Sequence, residues 1–432
     1  MKKSVNCFSL VRYKPRQAVR VLSLLIILLG FLVQTSIAQT TLHAKQAYIH
    51  INAGTKLVAG GDIDLEASSQ FDNSGQLTAK GNWTNNSGAG GFVTATNGTT
   101  EFSGTTTQAI AGSSPSTFNQ LNLLGTGQKT IISDYPVTVN GNLTITDGAV
   151  NTLLNNTITG VSPLLVKGNL VLSSGSTLQS NGPGFELRGN LQVDGTMNYG
   201  SSGNRNLLFS SSTAQSISGA GTLSVYAMQV SKTAGTLTLS KAIGIDNTLT
   251  LTAGNIISTS TNLLTFNNGS TVTGASNTSY VSGPVKKVGN SAFTFPLGSS
   301  SQSSNGYHPA AITAPVNTTD AFTAQYFRAG QSDGSNADVT LVNLSNCEYW
   351  NVTEPAGTSL VSLSLGWNPS SCDTTTPANM RVAYWNGTSS TWKDQGGINP
   401  TGTSATGTIT SSAALSAWGD FTLANKANIP ST

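Results

Sequence analysis

Few residues in this chain could do chemistry, and their spacing limits what that chemistry could be. The 432 residues include 18 acids and three histidines. The densest acidic group is Asp62, Asp64 and Glu66, which alternate along one strand and therefore share a face. Such a face could hold a cation or serve acid–base hydrolysis, which needs clustered carboxylates. Beyond residue 38 there is no Asp-Asp pair, no Gly-His-Gly and no Arg-x-Lys. The reading that follows is a solvated acidic face, with no metal centre and no catalytic residues. His43 and His50 lie in the leading segment, so His308, in Tyr307-His308-Pro309, is left as the candidate general base. Gly330-Gln331-Ser332-Asp333-Gly334 has the letters of a nucleophile elbow. The stretch after it is polar loop where an elbow requires a helix, so it reads as a turn. No glycine-rich stretch has the lysine and helix of a phosphate loop, and no cofactor is implied.

Aromatic residues offer a different chemistry. Trp385 and Trp392 straddle an Asn386-Gly387 turn, with Tyr384 beside them. Exposed at a sheet edge, the three could stack on sugar rings, making the domain a carbohydrate-binding module. The competing reading makes them core anchors, as for Trp350, Trp367 and Trp418 in or beside apolar strands. Of three cysteines, Cys7 falls in the amino-terminal leader, leaving Cys347 and Cys372. An even pair in an exported chain predicts one disulfide, stabilising by about 3 kcal/mol in the loop-entropy model.

Export is expected from residues 1–38. Six basic residues precede or flank an apolar run, Val21 to Val33, and Ser36-Ile37-Ala38 supplies a small-x-small cleavage site. A run of about 13 residues is short of the roughly 20 that span a bilayer. No later run is apolar enough, so the mature chain is expected to have no membrane span. The leader takes six of the 21 basic residues, which leaves 15 against 18 acids, a net charge of −3 instead of the +3 of the whole chain. No basic patch remains for nucleic acid.

The elements that position these residues are short strands. A Gly-Asn or Gly-Asp phrase recurs before alternating residues, at Gly61-Asp62, Gly81-Asn82, Gly141-Asn142, Gly168-Asn169 and Gly189-Asn190. Intervals near 20 residues, or multiples of it, suit the coils of a parallel β-solenoid. A longer echo returns with an offset of 107, carrying Gln108 onto Gln215 and Gly112 onto Gly219. Charged residues are only 9% of the chain, and Thr, Asn and Ser suit stacked strands in which like charges would face each other. The predicted architecture is all-β. Residues 39–282 form a parallel β-solenoid (β-helix), 283–425 an antiparallel β-sandwich, and 426–432 a disordered tail.

The chain resembles the secreted, repeat-containing surface proteins of Bacteroidetes. The likeness rests on Ser36-Ile37-Ala38-Gln39, on Glu101-Phe102-Ser103-Gly104 followed by Gln108-Ala109-Ile110, and on Val139-Asn140-Gly141-Asn142-Leu143. It also rests on Gly283-Pro284-Val285-Lys286-Lys287, Phe293 to Gly298, Glu348-Tyr349-Trp350 and Trp418 to Leu423. Members commonly end in a type IX sorting domain, and none is recognised here. The resemblance implies a noncatalytic extracellular or cell-surface protein with an adhesin-like role. Its expected partners are cell-surface glycans or other surface proteins. The alternatives are the carbohydrate-binding module and, last, a polysaccharide-degrading β-helix enzyme.

Overall fold

The computed structural model describes residues 11–12, 41–88, 91–94, 97–132, 135–146, 151–154, 164–180, 184–199, 206–302, 304–332 and 334–428. The expected leader lies outside these apart from Val11–Arg12, a two-residue strand antiparallel to Ala47–Ile51. Among the described residues the only helical element is one 3-10 turn, Pro377–Asn379. No helix there is long and apolar enough to cross a membrane. The chain divides into two compact units, Met1–Leu208 with Ile217–Ser224, and Phe209–Ser216 with Val225–Thr432.

The first unit is parallel β-solenoid with three strands per coil. One face stacks Lys56–Ala59, Gln76–Ala79, Thr99–Phe102, Gln120–Leu123, Leu143–Ile145, Leu170–Leu172 and Leu191–Val193 in parallel register. Strict alternation turns Leu121, Leu123, Leu143, Ile145, Leu170 and Leu172 inward to complete or near-complete burial. Trp83 occupies the interior between Phe71 and Phe118, with ring centroids 5.2 and 5.3 Å away, and its indole N–H donates to Ser116 Oγ at 3.0 Å.

The Gly-Asn phrase has a geometric cause. Asn142 Oδ1 accepts the backbone N–H of Asn169, and Asn169 Oδ1 accepts that of Asn190, each at 2.8 Å. Gln120 Oε1 supplies the preceding rung to Asn142 N at 2.9 Å. The glycine before each asparagine is needed because a Cβ on Gly189 would overlap the backbone of Gly168, and one on Gly168 the backbone of Gly141. Asp62 and Asn82 form a second ladder at another corner, Asp62 Oδ1 accepting Asn82 N at 2.7 Å and Asn82 Oδ1 accepting Ala109 N at 2.8 Å. The phrase thus serves two corners, and the interval from Asn82 to Asn142 is not a count of whole coils.

The second unit begins as solenoid and ends as antiparallel sheet. Leu237–Leu239, Ile256–Ile257, Val281–Ser282 and Leu297–Gly298 stack in parallel. Val285–Val288 pairs in parallel with Leu264–Phe266 on one edge and antiparallel with Ala321–Phe327 on the other. The change of architecture therefore occurs on a shared strand, and parallel pairing runs past the expected boundary at residue 282. Beyond it, one antiparallel sheet orders Ala321–Phe327, Tyr349–Ala356, Gly419–Lys426, Met380–Asn386 and Thr391–Asp394. A second orders Phe293–Phe295, Ala310–Ile312, Leu363–Trp367, Gly407–Thr410 and Ile398–Gly402. Trp350, Val352, Leu363, Leu365, Ile409 and Phe421 are fully buried between these strands. The last strand reaches Lys426, paired with Leu341, and Ala427 N donates to Thr340 O at 2.7 Å, so the start of the expected tail is ordered. Residues 429–432 lie outside the described residues.

Candidate functional site

Of the acids that could have held a cation, Asp62 is used by the fold and Glu66 is solvent-exposed. Asp62 caps the corner ladder, and Glu66 pairs with Lys45 and His43, each at 3.8 Å and with both partners well exposed. His50 Nδ1 meets Asp72 Oδ2 at 2.9 Å, away from the other acids. Among the described residues no three His, Cys, Asp or Glu side chains are grouped to hold a metal.

The aromatic platform is corrected by burial. Trp392 retains 3% of its surface and Trp385 8%, and their rings pack against each other with centroids 5.4 Å apart. Leu341, Ala383 and Ala424 complete this small core, with Ala337 and Leu344 at its margin. The physical reason is the segment 334–344, which lies over this face of the sheet. Gly334 O accepts the Trp392 indole N–H at 3.1 Å, and Asp338 N donates to Trp392 O at 2.9 Å. Gly334, the last residue of the elbow-like pentapeptide, lies against Trp385, and no helix follows it; Asp333 lies outside the described residues. Tyr384 is half-buried and packs on Phe421, with centroids 5.1 Å apart.

The most concentrated polar chemistry surrounds His308. Three segments distant in the sequence bring His308, Glu348 and Ser370 together. His308 Nδ1 lies 3.1 Å from Glu348 Oε2, and both side chains are fully buried. Nδ1 makes no hydrogen bond, so this contact lies off the ring N–H direction. His308 Nε2 is 3.1 Å from Ser370 Oγ, 3.1 Å from Asn305 O and 3.2 Å from Gln302 Oε1. The ring stacks on Tyr326, with centroids 4.2 Å apart and planes within 4°. Tyr326 Oη donates to Glu348 Oε2 at 3.0 Å, and burial, followed by the charge of Glu348, pushes its hydroxyl pKa up. Trp350 Nε1 donates to His308 O at 3.1 Å.

Comparison with known proteins finds no matching family model, no matching curated protein and no matching solved structure. The chemistry of the His308 cluster follows from its geometry.

Serine, histidine and glutamate within hydrogen-bond reach have the composition of a nucleophilic triad. The directions differ from those of a triad. Nε2 is contacted by oxygens of Gln302, Asn305 and Ser370 and, at 3.2 Å, by the donor Asn368 Nδ2, so it is not held free for the serine proton. The single proton of Ser370 Oγ is shared between Asn368 Oδ1 at 2.7 Å and Asn305 O at 3.1 Å. Asn368 Nδ2 donates to Asn305 O at 2.7 Å as well, so hydroxyl, amide and imidazole converge on one backbone carbonyl. What this arrangement does is fasten Gln302, Asn305 and His308 to the 368–370 turn. The Cys347–Cys372 disulfide expected from the sequence is formed, with Cα atoms 6.0 Å apart. It joins the residue before Glu348 to the turn that carries Ser370, so one covalent bond ties two of the cluster's three segments.

Sequence reasoning missed three buried lysines. Lys129, Lys232 and Lys287 are 1–2% exposed and donate to backbone carbonyls, Lys129 to Gly104 and Gly127, Lys232 to Thr213, and Lys287 to Asn267 and Ser270. Lys232 also reaches Gln215 Oε1 at 2.8 Å. Burial lowers each ammonium pKa to about 8, with Lys80 adding repulsion at Lys129. The signal was present in the alternation. Lys129 stands two residues before the inward Ile131, and Lys232 two after the inward Val230.

Proposed function

We propose that this protein is a noncatalytic extracellular or cell-surface structural protein with an adhesion role, in which a β-solenoid presents a pair of antiparallel sheets. The observation that carries this reading is where the polar side chains go. The corner asparagines bond the backbone of the next coil, the buried lysines hold carbonyls, and the His308 cluster binds a loop to a turn. Groups engaged in this way build length and rigidity. Such a solenoid offers an extended side face for many weak contacts, whose combined avidity exceeds each single affinity. The disulfide fits an oxidising compartment.

Two measurements test the reading. Intact, unpermeabilised source cells or their medium should be labelled by antibody against the chain, whereas a signal confined to lysed cells would remove the extracellular location. The purified chain should release no reducing ends from a panel of polysaccharides. Release that is lost in His308→Gln would make the buried cluster catalytic and overturn the proposal.

A further inference from the structure

We infer that the uncovered part of the larger antiparallel sheet binds a neutral glycan at Gln325, Phe327, Tyr349, Asn351 and Asp420. These residues are separate from the buried Trp385 and Trp392, and the inference stands or falls independently of the scaffold reading.

Cross-strand register puts Gln325 opposite Asn351, and Asn351 opposite Asp420, so three hydrogen-bonding side chains form a row across three strands. Two residues along, Phe327 stands opposite Tyr349, with ring centroids 4.6 Å apart and planes within 6°. A spacing of two keeps the polar row and the aromatic pair on the same face. All five residues are half-buried, whereas Ala383, Trp385 and Ala424 further along the sheet are buried. The covering segment 334–344 accounts for the difference, since it packs Leu341 onto Trp385, Ala383 and Ala424. At the near end of that segment, Gln331 Nε2 donates to Asp420 Oδ2 at 3.2 Å, and Asn351 Nδ2 donates to Oδ1 at 2.7 Å. The carboxylate is thereby held in one orientation.

The class of ligand follows from what these groups recognise. Aromatic rings take the C–H face of a pyranose. A fixed carboxylate has lone pairs beyond the two in use, and with neighbouring amides it can receive vicinal hydroxyls. Thr323 and Thr353 continue the polar border in register. The carboxylate opposes uronic acids, sulfates and phosphates, which selects a neutral sugar.

The test is a glycan array probed with the full disulfide-bonded chain, carrying neutral hexose and pentose polymers beside uronic and sulfated ones. Calorimetry on the tightest neutral ligand follows, with Tyr349→Ala, Gln325→Ala and Asp420→Asn. Trp385→Phe serves as a control in the covered core, and a thermal melt checks the fold of each variant. The expected result is saturable binding of a neutral polymer, weakened roughly tenfold by Tyr349→Ala and clearly by Gln325→Ala, and unchanged by Trp385→Phe. Absence of binding, a preference for acidic polymers, or binding that survives folded Tyr349 and Gln325 variants would overturn the inference.

Discussion

The solenoid coils and the antiparallel sheets solve the same problem, how to satisfy buried polar groups, in opposite ways. In the coils each donor finds its acceptor one turn away, and the solution repeats, as from Asn142 to Asn169 to Asn190. In the sheets the partners are far apart in sequence and occur once. His308 meets Glu348 40 residues on and Ser370 after 62. A periodic solution distributes stability among equivalent rungs, while an aperiodic one concentrates it. Damage should therefore be graded in the first region and severe in the second.

The largest effect is expected from His308→Ala. It removes a fully buried ring that meets Glu348, Ser370 and Tyr326 and leaves a cavity lined by polar groups that have lost a partner, which costs about 3–5 kcal/mol. In a Trp83→Phe background the remaining tryptophans all lie beyond Ser282. Denaturant unfolding followed by their fluorescence should shift by that amount, and an unshifted midpoint would mean the cluster is slack. Replacing Cys347 and Cys372 by serine should cost about 3 kcal/mol in the same assay. Gly189→Ala tests the coils and should cost roughly 1–3 kcal/mol through overpacking against Gly168. Asn169→Ala removes one rung and should cost about 1 kcal/mol. A loss as large as that from His308→Ala would erase the contrast between the regions.

A separate test is the dependence of stability on pH. Lys129, Lys232 and Lys287 titrate near 8 when folded and at the ordinary 10.5 when unfolded. The unfolded chain holds more protons between those values, so stability should rise as pH increases from 8 towards 10. Above that, tyrosines whose hydroxyls are pushed up by burial, Tyr280 and Tyr307 among them, reverse the slope. Denaturation midpoints at pH 7.5 and 9.5 measure the rise, and Lys→Met at the three positions should flatten it.

These same differences governed what could be read from sequence. Period-two alternation placed Leu121, Leu143 and Leu170 inward, and the phrase around Gly168-Asn169 marked a corner, because repetition makes a local pattern visible several times. The Cys347–Cys372 bond was legible because only two cysteines remained to pair. The sandwich strands were also legible, but not which face of them is covered. Trp392 is buried because 334–344 crosses over it, and the apolar residues that pack there, Ala337, Leu341 and Leu344, have no period-two pattern that would announce a cover. The His308 cluster needed three segments whose convergence no spacing encodes. The inward lysines lay in plain alternation and were passed over because charge ordinarily signals an outward residue.

The corner ladder also acts as a datum for changes of coil length. Its rungs from Gln120 to Asn190 link residues 22, 27 and 21 apart and keep nearly the same bond length. A coil of any of these lengths returns to the same mark, with a glycine close against the preceding backbone and an asparagine offering its carbonyl. Length added elsewhere in a coil is thus not carried into the next. A lineage of such chains can acquire or shed surface loops, or duplicate whole blocks, while each later coil stays in register.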